Sequence, residues 1–315
     1  MRPPWVAPAA KRLHGGNGNS IGWRLTPRPF HKRLPWLDYS GHVSALKAPV
    51  FAALFVPGLV TLYWFETHRL GARPITETIH ETGLWGIRLL AITLAITPSR
   101  QIFNQPRIVL LRRMIGVAAF SYLVIHFSFY IVDQKYALAT VASEIARRFY
   151  LTIGFSALSM LAILTATSTD GMMRRMGRRW QLLHRLVYVA AIIGTIHYFI
   201  QVKLNVFEPT WFAGIIGWLL IYRLLAYWLG VRRASAAGTL ILLSIGVGIL
   251  TALGEYGYYA IFTGVRAGRV WHANFSLAAG LRPGWIVMAA GIGVTILVTL
   301  WRAKGMFRAL ATQTR

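Results

Sequence analysis

Eight stretches of the sequence are apolar over nearly the length needed to cross a bilayer, and this limits the fold more than anything else in it. They run at about Ala48 to Phe65, Thr82 to Thr97, Met114 to Val132, Phe149 to Ala166, His184 to Val202, Trp211 to Trp228, Gly238 to Thr263 and Trp285 to Trp301. A helix needs roughly 20 residues to cross about 30 Å of hydrocarbon. No water is available there to satisfy backbone N–H and C=O groups, so each stretch must bond its own backbone as a helix. The expectation is an all-α transmembrane bundle of eight spans.

The composition agrees. Of 315 residues 56% are hydrophobic and only 14% charged, too apolar for an ordinary soluble domain of this size. Lys and Arg number 34 against 9 Asp and Glu, a formal charge of +25. The basic residues lie in short clusters between the apolar runs, which suits lipid headgroups and membrane topology; a nucleic-acid partner would call for one continuous patch. With no cysteine there is no disulfide, thiolate metal site or cysteine redox motif, so any redox chemistry requires a bound cofactor.

Met1 to Lys47 is rich in Pro, Gly and basic residues, lacks the apolar core of a signal peptide, and reads as a disordered cytoplasmic arm. If the N-terminus is inside, the cytoplasmic segments gather that arm, Arg100, Arg107, Arg112 and Arg113, then Arg174, Arg175, Arg178 and Arg179, then Arg223, Arg232 and Arg233. The opposite loops hold fewer basic residues: Arg69 and Arg73, then Lys135, Arg147 and Arg148, then Lys203, then Arg266, Arg269 and Arg282. The positive-inside rule therefore places both termini in the cytoplasm. Gly246 to Gly248 and Gly291 to Gly293 lie inside apolar spans, where close helix packing explains them better than a nucleotide fingerprint. The nine acids are scattered, and no hydrolytic constellation is readable.

Histidines inside such spans are functional candidates, because hydrocarbon penalises them. His126 lies twelve residues beyond Met114 in the third run, and His197 thirteen beyond His184 in the fifth. In the N-in arrangement both sit roughly 18 to 20 Å from the inner edge by helix rise. If those spans are neighbours, the two imidazoles can face one iron from opposite sides, as axial ligands of a b-type haem; the ordinary alternative is a pair of hydrogen-bonded core histidines. His184, beside Arg178, Arg179 and Arg185, reads either as an interfacial residue among lipid phosphates or as a ligand or gate near the cytoplasmic face. Arg88 falls at nearly the depth of His126. Its partner is expected to be a haem propionate or phosphate; the competing reading is snorkelling, or pairing with a nearby acid such as Glu81.

At these residues the sequence resembles the MsrQ (YedZ-type) family, the haem-binding membrane subunits of bacterial periplasmic methionine sulfoxide reductase systems, within the ferric-reductase-like transmembrane group. The matching stretches are AITPSRQ from Ala95, RRMIGVAAFSYLVIHFSFY from Arg112, RRFYLTIGF from Arg147, MGRRWQLLHRLVY from Met176 and IHYFIQVK from Ile196. The resemblance covers about Arg73 to Trp228 and, with span one, implies a six-helix haem-binding core over residues 48–230. Residues 231–315, carrying two further spans and a basic tail, lie outside the family plan, as does the arm over 1–47. The resemblance implies that His126, His184 and His197 hold one or two b-type haems, with a basic residue expected where Arg88 stands. It associates the family with FMN, for which no residue pattern is readable here. It also implies electron transfer across the inner membrane, from quinol or a cytosolic flavin reductase to a periplasmic molybdopterin-containing catalytic subunit.

Two other classes compete. A transporter or channel would use intramembrane Arg88 and Glu255 as substrate or proton sites, although no matched pair of Gly/Pro-interrupted segments is present in two halves. A cofactor-free membrane scaffold is the third reading. Because all three candidate haem ligands precede Arg233, a chain ending there is expected to insert and bind haem. The orientation is testable directly: reporter fusions near Arg175 and Arg232 should report the cytoplasm, and periplasmic activity at either position would refute the N-in, C-in arrangement.

Overall fold

The computed structural model describes residues 34–37, 42–202, 205–263, 266–276 and 280–313. Most of the basic arm, and Lys203, lie outside the described residues. Among those described, eight helices are long and apolar enough to cross a membrane: spans one to eight are Lys47–Glu66, Pro74–Phe103, Pro106–Asp133, Phe149–Ala166, Arg178–Gln201, Phe207–Trp228, Ala237–Phe262 and Pro283–Lys304. Large apolar side chains such as Ile163, Ile192, Leu242, Ile249 and Leu297 face outward and are exposed. On a soluble protein that much apolar surface would be a liability; against acyl chains it is the expected exterior.

Span two is longer than its hydrophobic run suggests. Pro74 occupies the start of the helix, where its missing N–H costs nothing, so the polar turn Thr76 to Glu81 is helical too and precedes the apolar part. The span forms the centre of the bundle: Leu89, Leu90, Leu94 and Ile102 are all buried. It packs on span three, most closely where Gly86 meets Leu123 and Gly83 meets His126. Spans four and five form a second antiparallel pair, joined to the first where the Phe127 and Phe155 rings meet at 5.6 Å.

Two breaks in these helices are repaired by side chains from elsewhere. Span one consists of two pieces, Lys47–Ala53 and Val56–Glu66, because Pro57 cannot continue the ladder. The Tyr122 hydroxyl inserts into the gap, donating to the Leu54 carbonyl and accepting from Gly58 N–H, each at 2.8 Å. Pro98 lies inside span two and frees the carbonyl four residues earlier, that of Leu94. Arg223 of span six donates to that oxygen and, at 3.0 Å, to Leu219 O.

Spans seven and eight pack against span six. A Cβ on Gly248 would sit 2.9 Å from the Gly284 carbonyl oxygen, and one on Gly284 2.7 Å from that of Gly248. The two backbones therefore approach as only glycines allow. Gly291 likewise faces Ser244 and Trp218, whose indole N–H donates to Ser244 Oγ at 3.1 Å. Gly246 and Gly293, by contrast, face open space. Near the end of span eight Arg302 donates to Ile102 O at 3.0 Å and Ser235 O at 3.1 Å, which ties the extension to the end of span two.

The Tyr122 insertion yields a prediction. Tyr122→Phe leaves a carbonyl and an N–H unpartnered at a membrane-buried break, a loss of about 1–3 kcal/mol. Thermal denaturation in detergent should show lower stability for this variant, while Tyr63→Phe, at an exposed position, should match the unaltered protein.

Candidate functional site

His126 and His197 come from neighbouring helix pairs and are close enough to interact electrostatically, with the Phe127 and Phe155 contact beside them. Each ring is anchored in the same way. His126 Nδ1 lies 2.7 Å from the carbonyl oxygen of Ile79, and His197 Nδ1 lies 2.8 Å from that of Tyr150. Facing a carbonyl, which only accepts, Nδ1 must carry the proton. The neutral imidazole then keeps its lone pair on Nε2, and neither Nε2 has a hydrogen-bond partner among the described residues. A backbone-anchored Nδ1–H with a free Nε2 is the arrangement usual for metal-ligating histidine. The pair thus offers two free imidazole lone pairs, the donor chemistry that haem iron would take, which two core histidines with both nitrogens satisfied would not offer.

His184 differs on this point. Span five consists of two pieces, Arg178–Leu183 and Leu186–Gln201, and His184 stands in the turn between them. Its Nδ1 lies 3.1 Å from Trp180 O, its Nε2 lies 3.2 Å from Ser168 Oγ, and its ring stacks on Trp180 at 3.8 Å. Both nitrogens are therefore engaged, and ligation would require Ser168 to be displaced.

Arg88 finds an acid, but not Glu81. Its Nη2 lies 2.6 Å from Glu208 Oε1 at the start of span six, and its guanidinium lies over the Trp85 ring at 5.2 Å. Tyr198, next to His197 in the sequence, lies within electrostatic range of Glu208. Glu208 was hidden from sequence reasoning because it lies 120 residues away in a segment whose neighbours could not be known. Glu255, 1% exposed, pairs with Arg282 and accepts from Asn274 Nδ2 at 3.3 Å. Both charges that a transporter would need are thus neutralised within the protein.

A second polar cluster lies toward the Phe103 end. Arg112 is within electrostatic range of both His184 and Arg223, and Arg223 lies 5.4 Å over the Tyr188 ring with its Nε buried and unpartnered. Among the described residues this end carries a single acid, Asp170, which pairs with Arg113 at 2.7 Å. The one signal of Arg223's role was Pro98, whose freed carbonyl requires a donor.

Comparison with known proteins supports a relationship along the same core. Residues 82–195 match the family model described as ferric reductase like transmembrane component. The haem-binding subunit MsrQ of protein-methionine-sulfoxide reductase from Xanthomonas campestris pv. campestris (strain 8004) is 39% identical over 203 residues, 62% of this chain and 92% of the relative. That from Rhodospirillum rubrum is 42% identical over 187 residues, 58% and 88% respectively; that from Brucella melitensis biotype 2 is 38% identical over 215 residues, 67% and 90%. No solved structure matches. Eight spans and this kinship describe a multi-pass protein of the bacterial inner membrane. With nine-tenths of several such relatives covered at this identity, the chain belongs to the MsrQ family of haem-binding subunits of protein-methionine-sulfoxide reductase.

Proposed function

We propose that this chain is the electron conduit of a methionine sulfoxide reductase system, carrying a b-type haem between His126 and His197. The observation that carries the proposal is the matched anchoring of both imidazoles through Nδ1, which leaves both Nε2 lone pairs without a hydrogen-bond partner among the described residues. A haem bound there supplies one-electron transfer. The chain's own residues do the rest. The Ile79 and Tyr150 carbonyls hold the tautomer, and the spans exclude water. The Arg88–Glu208 pair, neutral as a unit, ties span two to the start of span six beside the ligand helices.

In this reading the Phe103 end is cytoplasmic, the donor is quinol or a cytosolic flavin reductase, and the acceptor is a periplasmic molybdopterin-containing subunit that reduces methionine sulfoxide in oxidised proteins. Residues 48–230 form the haem-binding core. By helix rise the iron lies roughly 20 Å from the cytoplasmic edge, so a relay is needed nearer the donor. The cluster of Arg112, Arg223 and His184 supports one: two cations with no carboxylate to share, one of them largely buried, favour an anionic group. The propionates of a second haem, or the phosphate of FMN, would supply that charge.

Two predictions test this. His126→Ala and His197→Ala should each abolish or strongly perturb the low-spin haem spectrum while the protein still inserts; two variants with the unaltered spectrum and haem content would sink the assignment. A colourless unaltered protein would return the transporter and scaffold readings. His184→Ala should keep the first haem, lose part of the total haem signal and slow reduction by a cytosolic flavin donor. Unchanged haem content together with unchanged reduction kinetics would make His184 an interfacial residue only.

A further inference from the structure

A shift of 71 residues carries Ile79, Gly83 and His126 onto Tyr150, Gly154 and His197. In both sets the histidine Nδ1 bonds a carbonyl 47 residues earlier. In both, a glycine follows that carbonyl by four residues, about one helical turn on and on the same face. In both, the imidazole lies where the glycine's side chain would be. A Cβ on Gly83 would sit 2.8 Å from His126 Nδ1 and 3.0 Å from its Cε1; one on Gly154 would sit 2.7 Å from His197 Nδ1 and 2.8 Å from its Cε1. The same shift brings Leu90-Ala91-Ile92 onto Leu161-Ala162-Ile163, Ala119 onto Ala190 and Ile125 onto Ile196. Leu90 and Leu161 are both buried, as are Ala119 and Ala190. The relation fails at the Phe103 end, where the shift carries Arg113 onto His184.

One glycine under one histidine is ordinary packing. Two, with the same carbonyl at the same spacing in two antiparallel helix pairs, are two copies of one device. We propose that Gly83 and Gly154 are matching positioning residues, which seat the two imidazoles as equivalent ligands of a shared haem. The inference rests on the haem assignment above. Its physical content is that only a glycine lets the ring lie close enough to the helix for Nδ1–H to reach the carbonyl. That bond raises the basicity of Nε2 and so favours the oxidised iron. A methyl group at either glycine weakens the bond and raises the midpoint potential.

The test uses the haem-loaded full chain. Gly83→Ala and Gly154→Ala should each shift the low-spin electron paramagnetic resonance signal and move the midpoint potential upward. Gly86→Ala is the control for crowding alone, since its Cβ would meet Leu123 at 2.5 Å and no histidine. It should lower thermal stability while leaving the signal and the potential unchanged. If the first two variants do not accumulate, electron–nuclear double resonance on the unaltered protein decides: two equivalent, strongly hydrogen-bonded Nδ1 protons are expected. The inference is overturned if either glycine variant keeps the unaltered signal and potential, if Gly86→Ala moves them as much, or if the two Nδ1 protons are inequivalent. Failure of the haem assignment itself would show separately, as an unaltered protein without haem or as His126→Ala and His197→Ala variants with unchanged spectra.

Discussion

Hydrocarbon offers no hydrogen bonds, and the rest of this structure depends on that. A backbone group left open inside the bilayer costs several kcal/mol, so each helix break must be repaired from within the protein. The Tyr122 hydroxyl stands in for the missing bond between Leu54 and Gly58, and Arg223 serves the carbonyl that Pro98 frees. The same rule fixes the histidines. A neutral imidazole in this setting needs a partner for its N–H, and the nearest acceptors are helix carbonyls with a second lone pair still available. The Nδ1 bonds to Ile79 and Tyr150 therefore follow from membrane physics before any metal is considered, and they leave both Nε2 lone pairs free.

Charge obeys a related constraint. Arg88 and Arg282 each have a carboxylate, Glu208 and Glu255, and both pairs belong to the half of the bundle that holds His126 and His197. Toward the other end, Asp170 is the single acid among the described residues and Arg113 holds it. Arg112 and Arg223 lie within electrostatic range of each other, and Arg223 is served by the Leu94 and Leu219 carbonyls and the Tyr188 ring rather than by a carboxylate. This asymmetry sets the positive-inside signal of the sequence, and within the bundle it makes the same end receptive to an anionic group.

Much of this was legible in the sequence, and what was missed has physical causes. The eight spans follow from apolar run length alone, and the likeness in depth of His126 and His197 follows from counting residues along two parallel helices. The start of span two was misjudged because Thr76 to Glu81 is polar, and hydropathy says nothing about a helix that continues beyond the apolar layer. The break at His184 was unreadable because a turn held by Trp180 O and Ser168 Oγ leaves no Pro or Gly at the site itself. The partner of Arg88 required knowing which helices touch. The two glycines beneath the histidines were visible as letters, but only the positions of the imidazole rings give them meaning.

The bond from Arg302 to the Ile102 carbonyl spans 200 residues of chain. On the ribosome, Ile102 enters the membrane long before its donor has been made, at a synthesis rate of about 5–20 residues per second. For that interval the end of span two lacks this clasp, although the helices bearing His126 and His197 already exist. Span eight thus acts as a late fastener, closing on the end of span two only after every other span has been made.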